Sequence, residues 1–133
     1  MSDHDKKSKV EFLTSEGMQG LPFSEAVRVG DLLFLSGKLG TDASGQVVPG
    51  GIAAETRQTM ENIKAALERY GSSLDRVVKA TVMLADMAEW AEMNSVYVTY
   101  FKGRLPARSA MGVNGLARGA RVEIECIAVA GEK

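Results

Sequence analysis

Val77-Val78-Lys79-Ala80-Thr81-Val82-Met83-Leu84-Ala85 is the stretch on which the fold turns. It is rich in β-branched residues and holds no glycine or proline, the composition of a single strand. Val78, Ala80, Val82 and Leu84 fall on one face, and Val77, Lys79, Thr81, Met83 and Ala85 on the other. One dry face and one mixed face describe a central strand that is covered fully on one side only.

Working outward, Ala53, Met60, Ile63, Leu67 and Tyr70 recur at helical spacing before Gly71, so an amphipathic helix is expected over 53–70 with a glycine stop. Downstream, Asp86 is placed to cap a second helix, with Glu89 as its capping-box partner. Trp90, Met93, Tyr97, Tyr100 and Phe101 line one side of that helix, and Gly103 and Pro106 end it. Val10–Thr14 reads as a short strand, and Ala26–Val29 and Leu32–Ser36 flank a Gly30-Asp31 turn as a hairpin. Arg108–Val113 and Arg121–Val129 read as two strands joined by the glycine-rich 114–120 loop, and their adjacency suggests a second hairpin.

The order of strands, helix, strand, helix and strands describes an α+β domain over 10–133, preceded by a flexible polar tail over 1–9. Both helices are expected on one face of a mixed sheet of about six strands. The other face carries Thr81, Met83, Ile127 and Val129, too apolar for water alone, so self-association is expected to cover it.

Composition narrows the function. The 133 residues are 45% hydrophobic and 25% charged, enough for one self-sufficient core without disulfides or a structural metal. Sixteen basic against 17 acidic side chains give a net charge of -1, and the basic group Lys6, Lys7, Lys9 is small, which argues against nucleic acid as a partner. The longest apolar runs, such as Leu32–Leu35 and Val82–Ala85, are far too short to span a bilayer. The N-terminal Ser2–Lys9 segment has no apolar run behind it, and the reading is of a cytoplasmic protein. His4 is the only histidine and lies in the tail, so Ser-His-Asp or Cys-His chemistry is not expected. Carboxylates, arginine, backbone groups and water are left to do any chemistry.

Two places invite it. The last strand carries Val122, Ile124, Cys126 and Ala128 on one face and Glu123, Glu125, Ile127 and Val129 on the other. Its two carboxylates fit either a salt-bridged edge or a proton-transferring group whose pKa burial raises. In Pro106-Ala107-Arg108-Ser109, a guanidinium fixed at a strand start offers a fork of donors for a small carboxylate, and a plain surface arginine is the alternative. Cys126 reads as an inert core thiol, and Trp90, Tyr97, Tyr100 and Phe101 as helix packing.

Read together, several segments resemble the RidA/YjgF family of reactive-intermediate deaminases. They are Pro22-Phe23-Ser24-Glu25-Ala26, Ser36-Gly37-Lys38-Leu39-Gly40, Gly45–Gly51, Thr56-Arg57-Gln58 with Asn62, Val77–Val82, Met93-Asn94 with Tyr97, Pro106-Ala107-Arg108-Ser109 and Val122-Glu123-Ile124-Glu125. The resemblance implies a chorismate-mutase-like fold, a homotrimer with sites between subunits, and hydrolysis of amino-acid-derived imines and enamines to 2-oxo acids and ammonia without cofactor or metal. It further implies that Arg108 clamps the substrate carboxylate, Glu123 handles the water, Gly37 offers backbone contacts and Asn94 lines the cleft. Phe23 and Ala110 stand at substrate-side positions where relatives often carry tyrosine and cysteine, and Lys38 replaces a common glutamine. A catalytically weakened carboxylate-binding or regulatory protein is the alternative, followed by the RNA-directed or chaperone-like roles ascribed to some relatives. In the expected second hairpin Glu123 faces about Met111 and Arg108 lies ~10 Å farther along. A working site then draws these two residues from neighbouring chains.

Overall fold

The computed structural model describes residues 9–131, so His4 and the rest of the 1–8 segment lie outside the described residues. The elements run β1 (Val10–Leu13), β2 (Ala26–Val29), β3 (Leu32–Leu39), α1 (Gly51–Arg69), β4 (Val77–Leu84), α2 (Trp90–Tyr97), β5 (Ala107–Gly112) and β6 (Val122–Val129). The six strands form one mixed sheet in the spatial order β1-β2-β3-β6-β4-β5. Every pairing is antiparallel except the parallel β4–β5 edge.

Local chemistry accounts for most of these boundaries. Gly30 takes a positive φ of 57° and closes the β2–β3 hairpin. Helix α1 stops where Gly71 enters the left-handed region at φ 85°. There Gly71 N–H donates to the Glu68 carbonyl and Ser72 N–H to the Leu67 carbonyl, the paired bonds of a Schellman motif. Asp86 does cap the turn before α2, its Oδ1 accepting from Ala88 N–H at 2.9 Å. Glu89 does not reciprocate; its Oε2 accepts instead from Arg121 Nη1 at 2.8 Å.

The core lies between the helices and one face of the sheet. Leu33, Leu35, Ala80, Val82, Leu84, Val122 and Ile124 meet Met60, Ile63 and Leu67 of α1 and Met93 and Tyr97 of α2 in one buried cluster. A register shift between Val77 and Lys79 alters the expected β4 pattern at its first turn. Val77 turns inward, and Val78, expected on the dry face, is left 46% exposed.

The expected hairpin of Arg108–Val113 with Arg121–Val129 is not formed. β4 lies between them, pairing in parallel with β5 on one side and antiparallel with β6 on the other. A long connection permits this step across a strand, and the wholly apolar dry face of β4 is best buried with neighbours on both sides. Met111 and Glu123 do stand at one level, each opposite Met83, but one strand apart.

Among the described residues, nothing covers the opposite face of the sheet. Phe12, Val27, Phe34 and Ile127 form a row across β1, β2, β3 and β6, with Phe12 73% exposed. This is the face for which the sequence leads to an expectation of self-association.

A buried ionic cluster ties β2 and β3 to the end of α1. The Glu25 carboxylate is 2% exposed and accepts from Lys38 Nζ, from Arg69 Nη1 at 2.9 Å and from the Tyr70 hydroxyl at 2.7 Å. Burial alone would push this carboxyl up, but the bonds from Lys38 and Tyr70 and the Lys38 charge outweigh it and hold its pKa at about 2. Because the folded-state value is depressed, the stabilisation is present above the ordinary carboxylate range and is lost as pH falls toward 2. Glu25→Gln strands the Lys38 charge, so it costs about 3 kcal/mol in urea unfolding at neutral pH. The gap between variant and wild type closes as the pH of the titration is lowered.

Candidate active site

Arg108 sits in the edge strand β5, directly opposite Ala80, and so projects to the helix-covered side of the sheet. Helix α2 meets it with Trp90, Asn94 and Tyr97, spaced i, i+4 and i+7 along one helical face. Asn94 Oδ1 accepts from Arg108 Nη1 at 2.7 Å. The guanidinium carbon lies 4.9 Å from the Tyr97 ring centroid and 5.9 Å from that of Trp90. A groove of about 600 Å³ opens beside it, lined by Ala91, Asn94, Ser95, Tyr97, Val98, Leu105, Pro106 and Arg108. Its walls are mostly apolar, and Arg108 is the one charged group among them, so it suits a small organic anion.

Glu123 occupies the other side of the sheet, between the inward-facing Val122 and Ile124 of β6. Its neighbour on β3 is a β-bulge, where the register shifts between Leu35 and Lys38. Within that bulge Gly37 presents a bare Cα to the Glu123 carboxylate, and a side-chain carbon there would overlap Oε2. The glycine is needed for close approach and not for an unusual φ, since it is absent from the positive-φ positions. Partial burial raises the Glu123 carboxyl above its ordinary range, and the like charge of Glu125 adds to the shift. Removing that charge with Glu125→Gln moves the Glu123 titration to lower pH, an outcome that carboxylate NMR resolves directly.

The sequence-derived residues thus fall into two sets. Arg108 and Asn94 are in direct contact, and Gly37 and Glu123 are in direct contact, but the sets lie on opposite faces of one sheet. Ala110 shares the face of Arg108 and packs against the core instead of lining the groove. Phe23 is 50% exposed in the segment before β2. That segment is sewn to the bulge by Ser36, whose hydroxyl donates to the Ser24 carbonyl at 2.7 Å and whose N–H donates to the Glu25 carbonyl at 2.9 Å. Cys126 is buried, which pushes its thiol up to about 12, so it has the inert character expected of it. The sequence reading treats Trp90 and Tyr97 as packing only. Their i, i+4, i+7 phase with Asn94 is the signal that places both rings at the guanidinium.

This fold and site define a class of small sheet-and-helix proteins with an arginine-lined groove and a separately held carboxylate. The family model described as Endoribonuclease L-PSP matches residues 18–130, and the chain belongs to this family, the RidA/YjgF family. It is similar to proteins named 2-iminobutanoate/2-iminopropanoate deaminase in Mus musculus and in Bos taurus. The first is 49% identical over 111 residues, covering 83% of this chain and 82% of that protein; the second is 50% identical over 111 residues, covering 83% and 81%. Among solved structures, that titled YEO7_yeast superposes with a TM-score of 0.87 at 39% identity, covering 92% of this chain and all of that one.

Proposed function

We propose that this chain is an imine/enamine deaminase of the 2-iminobutanoate/2-iminopropanoate type, converting reactive amino-acid-derived imines to 2-oxo acids and ammonia. The observation that carries the reading is the Arg108 guanidinium, tied to Asn94 by one nitrogen and facing a groove with its remaining donors. The deaminase names of relatives near 50% identity support the same reading.

The chemistry asks little of side chains. Arg108 holds the substrate carboxylate and keeps the C=N carbon in a fixed place. Glu123, with its carboxyl raised, takes a proton from the attacking water as the C–O bond forms and delivers it to nitrogen. The carbinolamine then collapses to the 2-oxo acid: its hydroxyl proton passes by way of Glu123 to nitrogen, the C=O bond forms and the C–N bond breaks as ammonia leaves. One water is consumed, and no electron is gained or lost.

Because Arg108 and Glu123 occupy opposite faces of their own sheet, the two meet only across neighbouring copies. A homotrimer closed over the Phe12–Phe34–Ile127 band supplies such a cleft and covers the apolar face. Sedimentation then gives a mass three times that of the chain, and Phe34→Asp lowers it.

A carboxylate-binding protein without turnover is the second reading, motivated by Phe23. A hydroxyl lost there removes one hydrogen bond, about 0.5–1.5 kcal/mol, which lowers a rate without abolishing it. An RNA-directed role, which the family model's description names, is disfavoured by the net charge of -1. The test generates 2-iminobutanoate in place with an amino-acid oxidase and follows 2-oxobutanoate release. Acceleration by the wild type supports the enzyme. Background release with Arg108-dependent stabilisation by butanoate supports the binder, and a salt-sensitive RNA shift supports the third reading.

A further inference from the structure

We infer that Trp90 is a positioning residue for the arginine clamp: with Tyr97 it brackets the Arg108 guanidinium between two rings and aims its free donors into the groove. The inference rests on the carboxylate-clamp reading given above and extends it to the part that Trp90 plays in holding the clamp.

Four observations converge on Trp90. Its ring lies 5.9 Å from the guanidinium carbon, within reach of a cation–π attraction, while Tyr97 supplies the second ring at 4.9 Å. Trp90 is 42% exposed and takes no part in the buried core cluster, so helix packing does not explain a large apolar side chain there. Tyr97, by contrast, is a core member, and its buried hydroxyl has no hydrogen-bond partner among the described residues, so its ring position is kept at a polar cost. Finally, Asn94 engages only Nη1 at 2.7 Å, and a single hydrogen bond leaves the guanidinium plane free to rotate about it. The two rings remove that freedom.

A guanidinium already held in its binding plane loses less conformational entropy when a carboxylate docks, so the bracket strengthens anion binding and leaves the later chemical steps alone. Trp90 touches no reacting atom in this account and acts through Arg108. Its removal therefore raises KM and preserves kcat.

The test uses the full chain and butanoate as the probe, a carboxylate with no imine to hydrolyse. Trp90 is the chain's only tryptophan, so its emission in the wild type changes saturably with butanoate, and Arg108→Ala abolishes the change. Calorimetry then compares wild type, Trp90→Phe and Trp90→Ala. The expected result is near-wild-type affinity for Trp90→Phe and about two- to fivefold weaker binding for Trp90→Ala. A matching rise in KM for 2-iminobutanoate, an unchanged kcat and an unchanged melting temperature complete the expectation. Wild-type affinity in Trp90→Ala, with binding still dependent on Arg108, overturns this inference and leaves the clamp standing. A fall in kcat at constant KM also overturns it. Absence of butanoate binding by the wild type overturns the clamp and the bracket together.

Discussion

Arg108→Ala is expected to lower kcat/KM for 2-iminobutanoate hydrolysis by about 10²- to 10³-fold, because truncating one partner of a desolvated charge pair costs roughly 2–5 kcal/mol. The loss appears chiefly in KM, with a smaller fall in kcat as the imine carbon loses its fixed position. Arg108→Lys is expected to recover part of the rate: it restores a positive charge at the groove but not a planar fork able to pair with both oxygens of a carboxylate. Coupled assays of oxo-acid release at several substrate concentrations separate the two parameters. Stability changes little, since Arg108 is half-buried on an edge strand and outside the core cluster. Wild-type kinetics in the alanine variant would remove Arg108 from the mechanism.

Gly37→Ala is expected to be nearly as damaging to turnover and almost silent in folding. The three atoms nearest the added methyl all belong to the Glu123 side chain, which must move to admit it, and backbone strain is not involved. The displaced carboxylate no longer reaches the water, so kcat falls by about 10²-fold, the scale of losing a positioned acid–base group. Glu123→Gln gives a comparable loss. The double variant Gly37→Ala with Glu123→Gln is no worse than Glu123→Gln alone, because both changes remove one function. Full additivity of the two effects in rate measurements would show that Gly37 acts by some other route.

The parts of this architecture legible from the chain are those set by short-range rules. The 53–70 periodicity with Gly71, the Gly30-Asp31 turn and the alternation from Ala80 to Leu84 each carry their own local instruction, and the structure follows them. The expected second hairpin fails because strand order is decided by long-range pairing. Nothing within Arg108–Val129 states that β4 lies between β5 and β6. Val78 was misplaced for a related reason, since a register shift leaves no mark in an otherwise regular pattern.

The candidate site divides along the same line. Residue chemistry and motif resemblance singled out Arg108, Asn94, Gly37 and Glu123, and the contacts Arg108–Asn94 and Gly37–Glu123 give each pair a geometry. The Glu25–Lys38–Arg69 cluster went unremarked, because its members are far apart in sequence and only the packing of α1 against β3 unites them. The sequence reading separated Arg108 from Glu123 by distance along a supposed hairpin. The stronger reason is that the sheet itself stands between them.

That barrier has a genetic consequence. If each catalytic cleft takes its arginine from one polypeptide and its glutamate from the next, two inactive mutants can rescue one another. Co-refolding Arg108→Ala chains with Glu123→Gln chains in equal amounts builds hybrid rings in which about one cleft in four inherits both wild-type groups. Each parent alone keeps about a hundredth of normal activity or less, and the mixture regains roughly a quarter of normal specific activity.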